Sequence, residues 1–411
     1  MRARAVAPTT VSMRIFVATA GLLLLLAAPA DARLRSVAKL TATAKGDTVR
    51  LSWKDRATGE ARYEIRRPGL RVRLKRNRTS WTDRKVRAGK TYRYSVRPCR
   101  GRHCAKAVSK TVKVPAAKLP PSPTPPANPA PAGTSPMIGD CPIFPPDNPW
   151  NTDISQYPVD TSHDYIGSLS GMVLWPDFGG DGAYGIPYVS VPFSQPLVPI
   201  SFDEDDESDA GPYPTPLDAP VEDGDRHILT LRQGDCKLFE LYDATRQGGG
   251  YHAYSGAVWD LHSNKLRPEG WTSADAAGLP MLPGLARRDE ADAGAIKHAL
   301  RVTVPVTQNA YIHPATHCAS SNSNPDQPPM GLRLRLKASY DISRLRGQAH
   351  AIAQALKTYG AMVADNGGGS PKVFVGGVVD KGWNDDDLNA IKQIPASALE
   401  AVVTNPVVHG C

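Results

Sequence analysis

Nine of the 22 residues from Pro115 to Pro136 are proline. Fixed φ angles and missing amide donors at that density leave neither a helix nor a sheet ladder a way across the segment. It reads as an extended, semi-rigid spacer with a reach of about 3.1 Å per residue. The chain must therefore fold as separate bodies on either side, expected at residues 34–115 and 138–411, with the linker at 116–137. Ahead of both, Arg2, Arg4 and Arg14 precede an apolar run from Ile15 to Leu26, and Ala28-Pro29-Ala30 and Ala30-Asp31-Ala32 follow it. That order of charge, apolar core and small residues is what an export signal needs, so residues 1–32 are expected to be removed and the mature chain to be extracellular, secreted or cell-surface associated. The apolar run is short for a membrane span and is followed at once by a cleavage site, so no membrane span is expected after cleavage.

Charge divides the chain at the same place. Residues 34–115 hold 25 Lys and Arg against 5 Asp and Glu, whereas residues 116–411 hold 20 against 34. A strongly basic body attracts polyanions and an acidic one repels them, so the two are expected to have different partners. The partner expected overall is a polysaccharide or an anionic cell-wall polymer. Sequence-specific nucleic acid is not expected, because no recognition motif accompanies the charge. The chain is expected to act as a monomer.

Short strands alternating apolar with polar residues, such as Thr48–Trp53, Tyr63–Arg66 and Thr91–Val96, predict a β-sandwich of half-buried strands for residues 34–115. The stretches Leu40–Thr43, Leu51-Ser52-Trp53 and Ala88–Val96 resemble the fibronectin type III family across nearly the whole segment. The resemblance implies that Tyr92 occupies the tyrosine corner, its hydroxyl tying a loop to the backbone. The Arg-Gly-Asp triplet by which some family members bind integrins is replaced here by Arg100-Gly101-Arg102, so that role is not implied. Arg66, Arg67, Arg71, Arg73, Lys75, Arg76 and Arg78 lie within thirteen residues. On a strand, Arg71, Arg73 and Lys75 share one face, a ladder for phosphates, uronates or sulfates. A merely solvated basic surface is the alternative.

The six cysteines suit an oxidising compartment. A Cys99–Cys104 bridge would staple a hairpin tip, and Cys141, Cys236, Cys318 and Cys411 leave three pairings open. No two of these four have the spacing of a Cys-x-x-Cys zinc pair. Turn-rich text after Cys141, strand-like runs at Leu197–Phe202, His227–Leu231, Lys237–Tyr242, Ala299–Val304 and Gly331–Lys337, and one long amphipathic helix from Gln348 to Ala364 predict a mainly β body. The expected form is a β-sandwich or jelly-roll-like core with helices at one side. A shorter helix is expected after Asn384, its first turn charged by Asp385, Asp386 and Asp387. The segments Trp271–Pro280 and Pro329–Lys337 resemble those of a widespread group of secreted bacterial proteins, often joined to fibronectin or carbohydrate-binding modules.

A two-residue turn at Gly234-Asp235 would pair Leu231 with Leu238, Leu229 with Glu240 and His227 with Tyr242, bringing His227, Glu240 and Tyr242 to one face of a hairpin. An ionisable pair among leucines is how acid/base sites are built, and a structural His–Glu hydrogen bond is the alternative. Asp260 and Asp275 lie beside Trp259 and Trp271, whose flat rings suit sugar. Two carboxylates about 5 Å apart serve a retaining glycosidase and about 6.5–9.5 Å an inverting one. The candidate catalytic residues are thus Glu240, His227, Asp260 and Asp275, with Glu290 a further acid. Trp259, Trp271 and Tyr242 are the candidate substrate contacts. His298, His313 and His317 offer a metal alternative, but Pro314 breaks the helix that His313-Pro-Ala-Thr-His317 would need. No metal or other cofactor is expected, with calcium at Asp203–Glu207 and Asp209 the weak exception. No phosphate-cradling loop and no Gly-x-Ser-x-Gly elbow is present. Together these features predict a secreted polysaccharide-active protein, a glycoside hydrolase with a basic accessory module. A non-catalytic glycan- or matrix-binding protein is the alternative.

Overall fold

The computed structural model describes residues 34–45, 48–86, 90–115, 134–367 and 371–410. The expected export signal and residues 116–133 of the expected linker lie outside them. The chain divides into two compact units: a small one running to Arg84 and resuming over Thr91–Val112, and a large one that holds Lys113–Cys411.

In the small unit, Ala38–Lys45, Thr48–Lys54 and Ser80–Asp83 form one antiparallel sheet. Leu70–Lys75, Arg62–Arg67, Thr91–Arg100 and His103–Cys104 form the other, and Val108–Lys113 also pairs with Thr91–Arg100. Period-two alternation turns Val49, Leu51, Trp53, Tyr63, Ile65, Tyr94 and Val96 inward, where all are buried. Each such side chain contributes about 1.5–3 kcal/mol through the area it removes from water. Asp83 fixes the core's polar edge by accepting from the Tyr94 hydroxyl at 2.9 Å and from Arg67 Nε at 2.7 Å. Tyr92 is half-buried with the Arg67 guanidinium 4.9 Å from its ring centroid. Residues 87–89, within the stretch that suggested the tyrosine corner, lie outside the described residues. Cys99 and Cys104 are opposed across a hairpin and joined by a disulfide.

The large unit is also mainly β. A six-stranded sheet runs in the order Val173–Pro176, Lys372–Val375, Leu300–Val304, Ala361–Asn366, Arg333–Leu336, Leu399–Ala401, with parallel pairing of the first two and of Leu300–Val304 with Ala361–Asn366. A four-stranded sheet runs Tyr188–Val191, Ile228–Arg232, Lys237–Tyr242, Ser255–Asp260. Leu174, Val302, Val304, Val363, Val373 and Val375 from the first and Leu229, Leu231 and Leu238 from the second belong to one core. Cys141 pairs with Cys236, one of the three open pairings; Cys318 is also disulfide-bonded, and Cys411 lies outside the described residues.

The long helix is shorter than its periodicity predicts, spanning Gly347–Thr358 with Ile352, Ala355 and Leu356 buried. Gly360, at φ +68°, ends it, and Ala361–Ala364 belong to a strand. A Cβ at Gly360 would lie 2.2 Å from the Leu334 carbonyl oxygen, so only glycine lets the chain turn this close to the neighbouring strand. The second helix, Asp385–Ile391, begins where expected, with the Asn384 side chain accepting from the amides of Asp386 and Asp387. Among the described residues no helix is long and apolar enough to cross a membrane.

Candidate functional site

The hairpin at Gly234-Asp235 sets the register from which the site grows. Gly234 has φ +94°, Arg232 opposes Lys237, Leu231 opposes Leu238 and Leu229 opposes Glu240. His227, just before the first strand, stacks on Tyr242 with ring centroids 5.3 Å apart. His227, Glu240 and Tyr242 therefore share the face that looks into the main core. Their partners differ. Glu240 is fully buried and accepts from Trp259 Nε1 at 3.0 Å and from the amides of Met281 and Leu282, both at 3.0 Å. Burial pushes its carboxyl up to about 7 against the pull of these donors. His227 gives Nδ1 to Glu222 and faces the Ala274 carbonyl with Nε2 at 3.0 Å. Burial disfavours its charge, but the Glu222 carboxylate outweighs burial and raises its pKa. With an acceptor at each nitrogen, the ring is suited to the imidazolium form.

The Ala274 carbonyl leads directly to Asp275, which is buried and held in a bidentate pair by Arg301, Nε to Oδ2 at 3.0 Å and Nη2 to Oδ1 at 2.8 Å. Burial raises Asp275, opposed by the Arg301 charge. Arg301 Nη2 also lies 3.8 Å from Asp365 Oδ2, so one guanidinium links a sealed carboxylate to one that is about a third exposed. Arg301 and Thr303 project from one face of the six-stranded sheet. On the same half-exposed face lie Trp175, Phe374 and Lys372, while the intervening Leu174, Val373, Val375 and Val302 are buried. Lys372 Nζ sits 3.3 Å and Lys392 Nζ 4.3 Å from the Trp175 ring centroid. At the end of that strand Asp177 is open to solvent, yet enough protein crowds its carboxyl to raise its pKa. Arg301 and Lys372 draw it down, and Glu222 and Asp225 push it up. Asp177, Glu222, His227, Asp275, Arg301 and Asp365 thus form one electrostatically linked cluster beside an aromatic-lined sheet face.

Other sequence candidates lie elsewhere. Asp260 is exposed, opposes Lys237 and caps the amide of His262 at 3.0 Å. Trp259 is buried and edges a shallow pocket with Phe144, Trp150, Leu266, Leu279 and Pro280, whose lining includes no carboxylate. The Arg267 guanidinium lies 5.5 Å from the ring centroids of both Trp259 and Trp271. Glu290 binds His298 Nε2 at 3.1 Å and Arg287; His313 Nε2 meets Glu269 at 2.7 Å; His317 Nδ1 meets the Ala276 carbonyl at 2.8 Å. Among the described residues no three metal-ligating side chains converge. In the acidic loop Asp203 faces His252, Glu204 accepts from Tyr254, Glu207 from the Thr272 amide, and Asp209 from Arg267 and the Val258 amide.

No family model matches the chain, and no curated protein does. Solved structures that are similar over part of it include fibronectin type III domains. The fn3 domain of the human collagen alpha-1(XX) chain is 20% identical over 21% of this chain and 90% of its own, with TM-score 0.20. An Fn3-like protein from Clostridium thermocellum is 21% identical over 21% and 97%, with TM-score 0.18. Pectate lyase PelI from Erwinia chrysanthemi is 24% identical over 18% of this chain and 27% of its own, with TM-score 0.16.

Reasoning from sequence missed Trp175, Asp177, Glu222, Arg301, Asp365 and Phe374. One signal was available for Arg301: an arginine between Leu300 and Val302 in a mostly apolar strand has to find a buried partner. Nothing local marked the others, which meet only through pairings distant in sequence.

Proposed function

We propose that the chain is a secreted polysaccharide-active protein whose large unit is a glycoside hydrolase and whose basic unit holds it on an anionic polymer. The observation that carries this reading is the sheet face where Trp175 and Phe374 lie beside Asp177 and the Arg301–Asp365 pair. Aromatic faces stack on sugar rings, and a carboxyl whose pKa is raised is what the proton donor of acid-catalysed glycoside cleavage requires. In this reading Asp177 donates the proton to the leaving oxygen, and Asp365, three strands away on the same sheet and held by Arg301, contacts a neighbouring sugar. Asp275 and His227 are positioning residues: one fixes the Arg301 fork, and the other anchors Glu222 and the loop before Asp275. Tyr242 lines the approach.

The second reading is a non-catalytic glycan binder. It draws on the burial of Glu240, Asp275 and His227, each with protein partners at its polar atoms. The test is incubation of the full chain with plant, fungal and bacterial wall glycans, following released reducing ends. Release that falls at least a hundredfold in Asp177→Asn supports the hydrolase. Binding without release, lost in Trp175→Ala, supports the binder and ends the catalytic reading.

A further inference from the structure

The outer face of the small unit's second sheet carries a device that bulk charge does not require. Register puts Arg62 opposite Lys75, Glu64 opposite Arg73, and Arg66 opposite Arg71 on one side, and Glu64 opposite Arg97 on the other. All project to the same face, so Glu64 stands alone among cations. Its side chain is 1% exposed, while those of Arg66, Arg71 and Arg97 are 46%, 51% and 31% exposed. Glu64 Oε1 accepts from Arg66 Nε at 2.6 Å and from Arg97 Nε and Nη2 at 3.0 and 2.6 Å; Oε2 accepts from Arg71 Nε and Nη2 at 2.9 and 2.5 Å. Burial works against this charge, but the three arginines outweigh it and hold the carboxyl at about 2.

One sealed carboxylate thus neutralises a single charge and anchors three guanidinium side chains that stay partly exposed. Ordering a long side chain costs conformational entropy when a ligand must do it; here much of that ordering is already present. Arg73 and Lys75 extend the array along the edge strand Leu70–Lys75, at about 6.8 Å between alternate residues and about 4.8 Å between strands. Neither has a partner among the described residues.

We propose that this clamped arginine array binds a linear acidic polysaccharide through the carboxylates or sulfates of successive sugars. A guanidinium fork matches both groups. A flat grid without an aromatic side chain offers no stacking platform for nucleotide bases, so nucleic acid is disfavoured. The proposal rests on the reading of the basic unit as the polymer-holding module and supplies its residues and ligand class.

The test titrates the full chain with polygalacturonate and, separately, with dextran sulfate, with neutral dextran as blank. Arg71→Ala/Arg73→Ala/Lys75→Ala is expected to weaken binding at least about tenfold at low salt and to flatten its salt dependence. The control Lys45→Ala/Arg50→Ala/Lys54→Ala removes the same charge from the other sheet and is expected to change affinity less than about twofold. Glu64→Gln makes the unit more basic yet frees the three arginines, so affinity is expected to fall about threefold or more. Tighter binding by Glu64→Gln, or equal losses in the two triple variants, would leave only bulk charge and overturn the array. So would duplex DNA bound as tightly as the polysaccharides through the same residues. Preference for one acidic polymer over the other identifies the group that the array reads. Glycan cleavage is followed in the same samples: its loss with binding intact falls on the hydrolase reading alone, and loss of binding with cleavage intact falls on the array alone.

Discussion

Glu240 is held by three donors, from Trp259, Met281 and Leu282, in a place that water does not reach. Replacing it with alanine leaves those donors without an acceptor, and Glu240→Ala is expected to lower stability by about 3 kcal/mol in chemical denaturation. Its pH signature has a definite sign. The ordinary carboxyl value is 4.5 and the folded value is about 7, so between these pH values the unfolded chain has released a proton that the folded chain keeps. Stability is therefore fully present below about pH 4.5 and is lost as pH rises toward 7, by about 3 kcal/mol in all. Measured against Glu240→Gln, which does not titrate, the wild-type chain should lose ground across that window; a constant gap would mean that burial does not govern this group. His227 has the same sign, because Glu222 raises its pKa above 6.5. Glu222→Gln should bring the ring's NMR titration midpoint down. The hairpin that gathers His227, Glu240 and Tyr242 was legible because Gly234-Asp235 fixes a register and a register fixes faces. Their partners were not, since Arg301 reaches Asp275 and Asp365 across spans in which no local pattern records the meeting.

At the scale of elements, period and punctuation compete. The run Gln348–Ala364 keeps helical spacing to its end, and small apolar residues such as Ala361 and Ala364 fit helix and buried strand alike. Gly360 decides the matter because the chain there needs a positive φ against the strand Arg333–Leu336. Gly360→Ala is expected to cost about 2 kcal/mol or more, since it adds αL strain to a contact 2.2 Å from Leu334 O and 2.6 Å from Ile154 Cδ1. Thermal unfolding measures it; a loss of a few tenths would mean that the backbone relaxes there. Parallel pairing explains a further gap between sequence and sheet. The neighbours of Trp175 and Asp177 arrive nearly two hundred residues later, at Lys372 and Phe374, so an aromatic and an acid two positions apart on a short strand carried no sign of the surface they build. By contrast, Arg71, Arg73 and Lys75 share a face by the period of a single strand, and that was readable outright.

At the scale of the whole molecule, opposed charge on two units joined by a proline-rich segment sets how the chain distributes on a solid. With 25 basic against 5 acidic residues in 34–115 and 20 against 34 in 116–411, an anionic surface attracts one unit and repels the other. On the proposed reading, the joined chain brings the large unit to the surface along with the small one. Severed between Pro115 and Pro136 by limited proteolysis, the fragments should part: the small one stays with an anionic wall preparation at low salt, and the large one leaves with the supernatant. Raising salt from about 0.05 to 0.5 M shortens the Debye length from about 14 to 4 Å and should release the small fragment and the intact chain together. The sedimented fraction of each species is the measurement. A large fragment that stays behind after cleavage, insensitive to salt, would mean that it grips the wall by its own neutral contacts and that the basic unit adds little to retention.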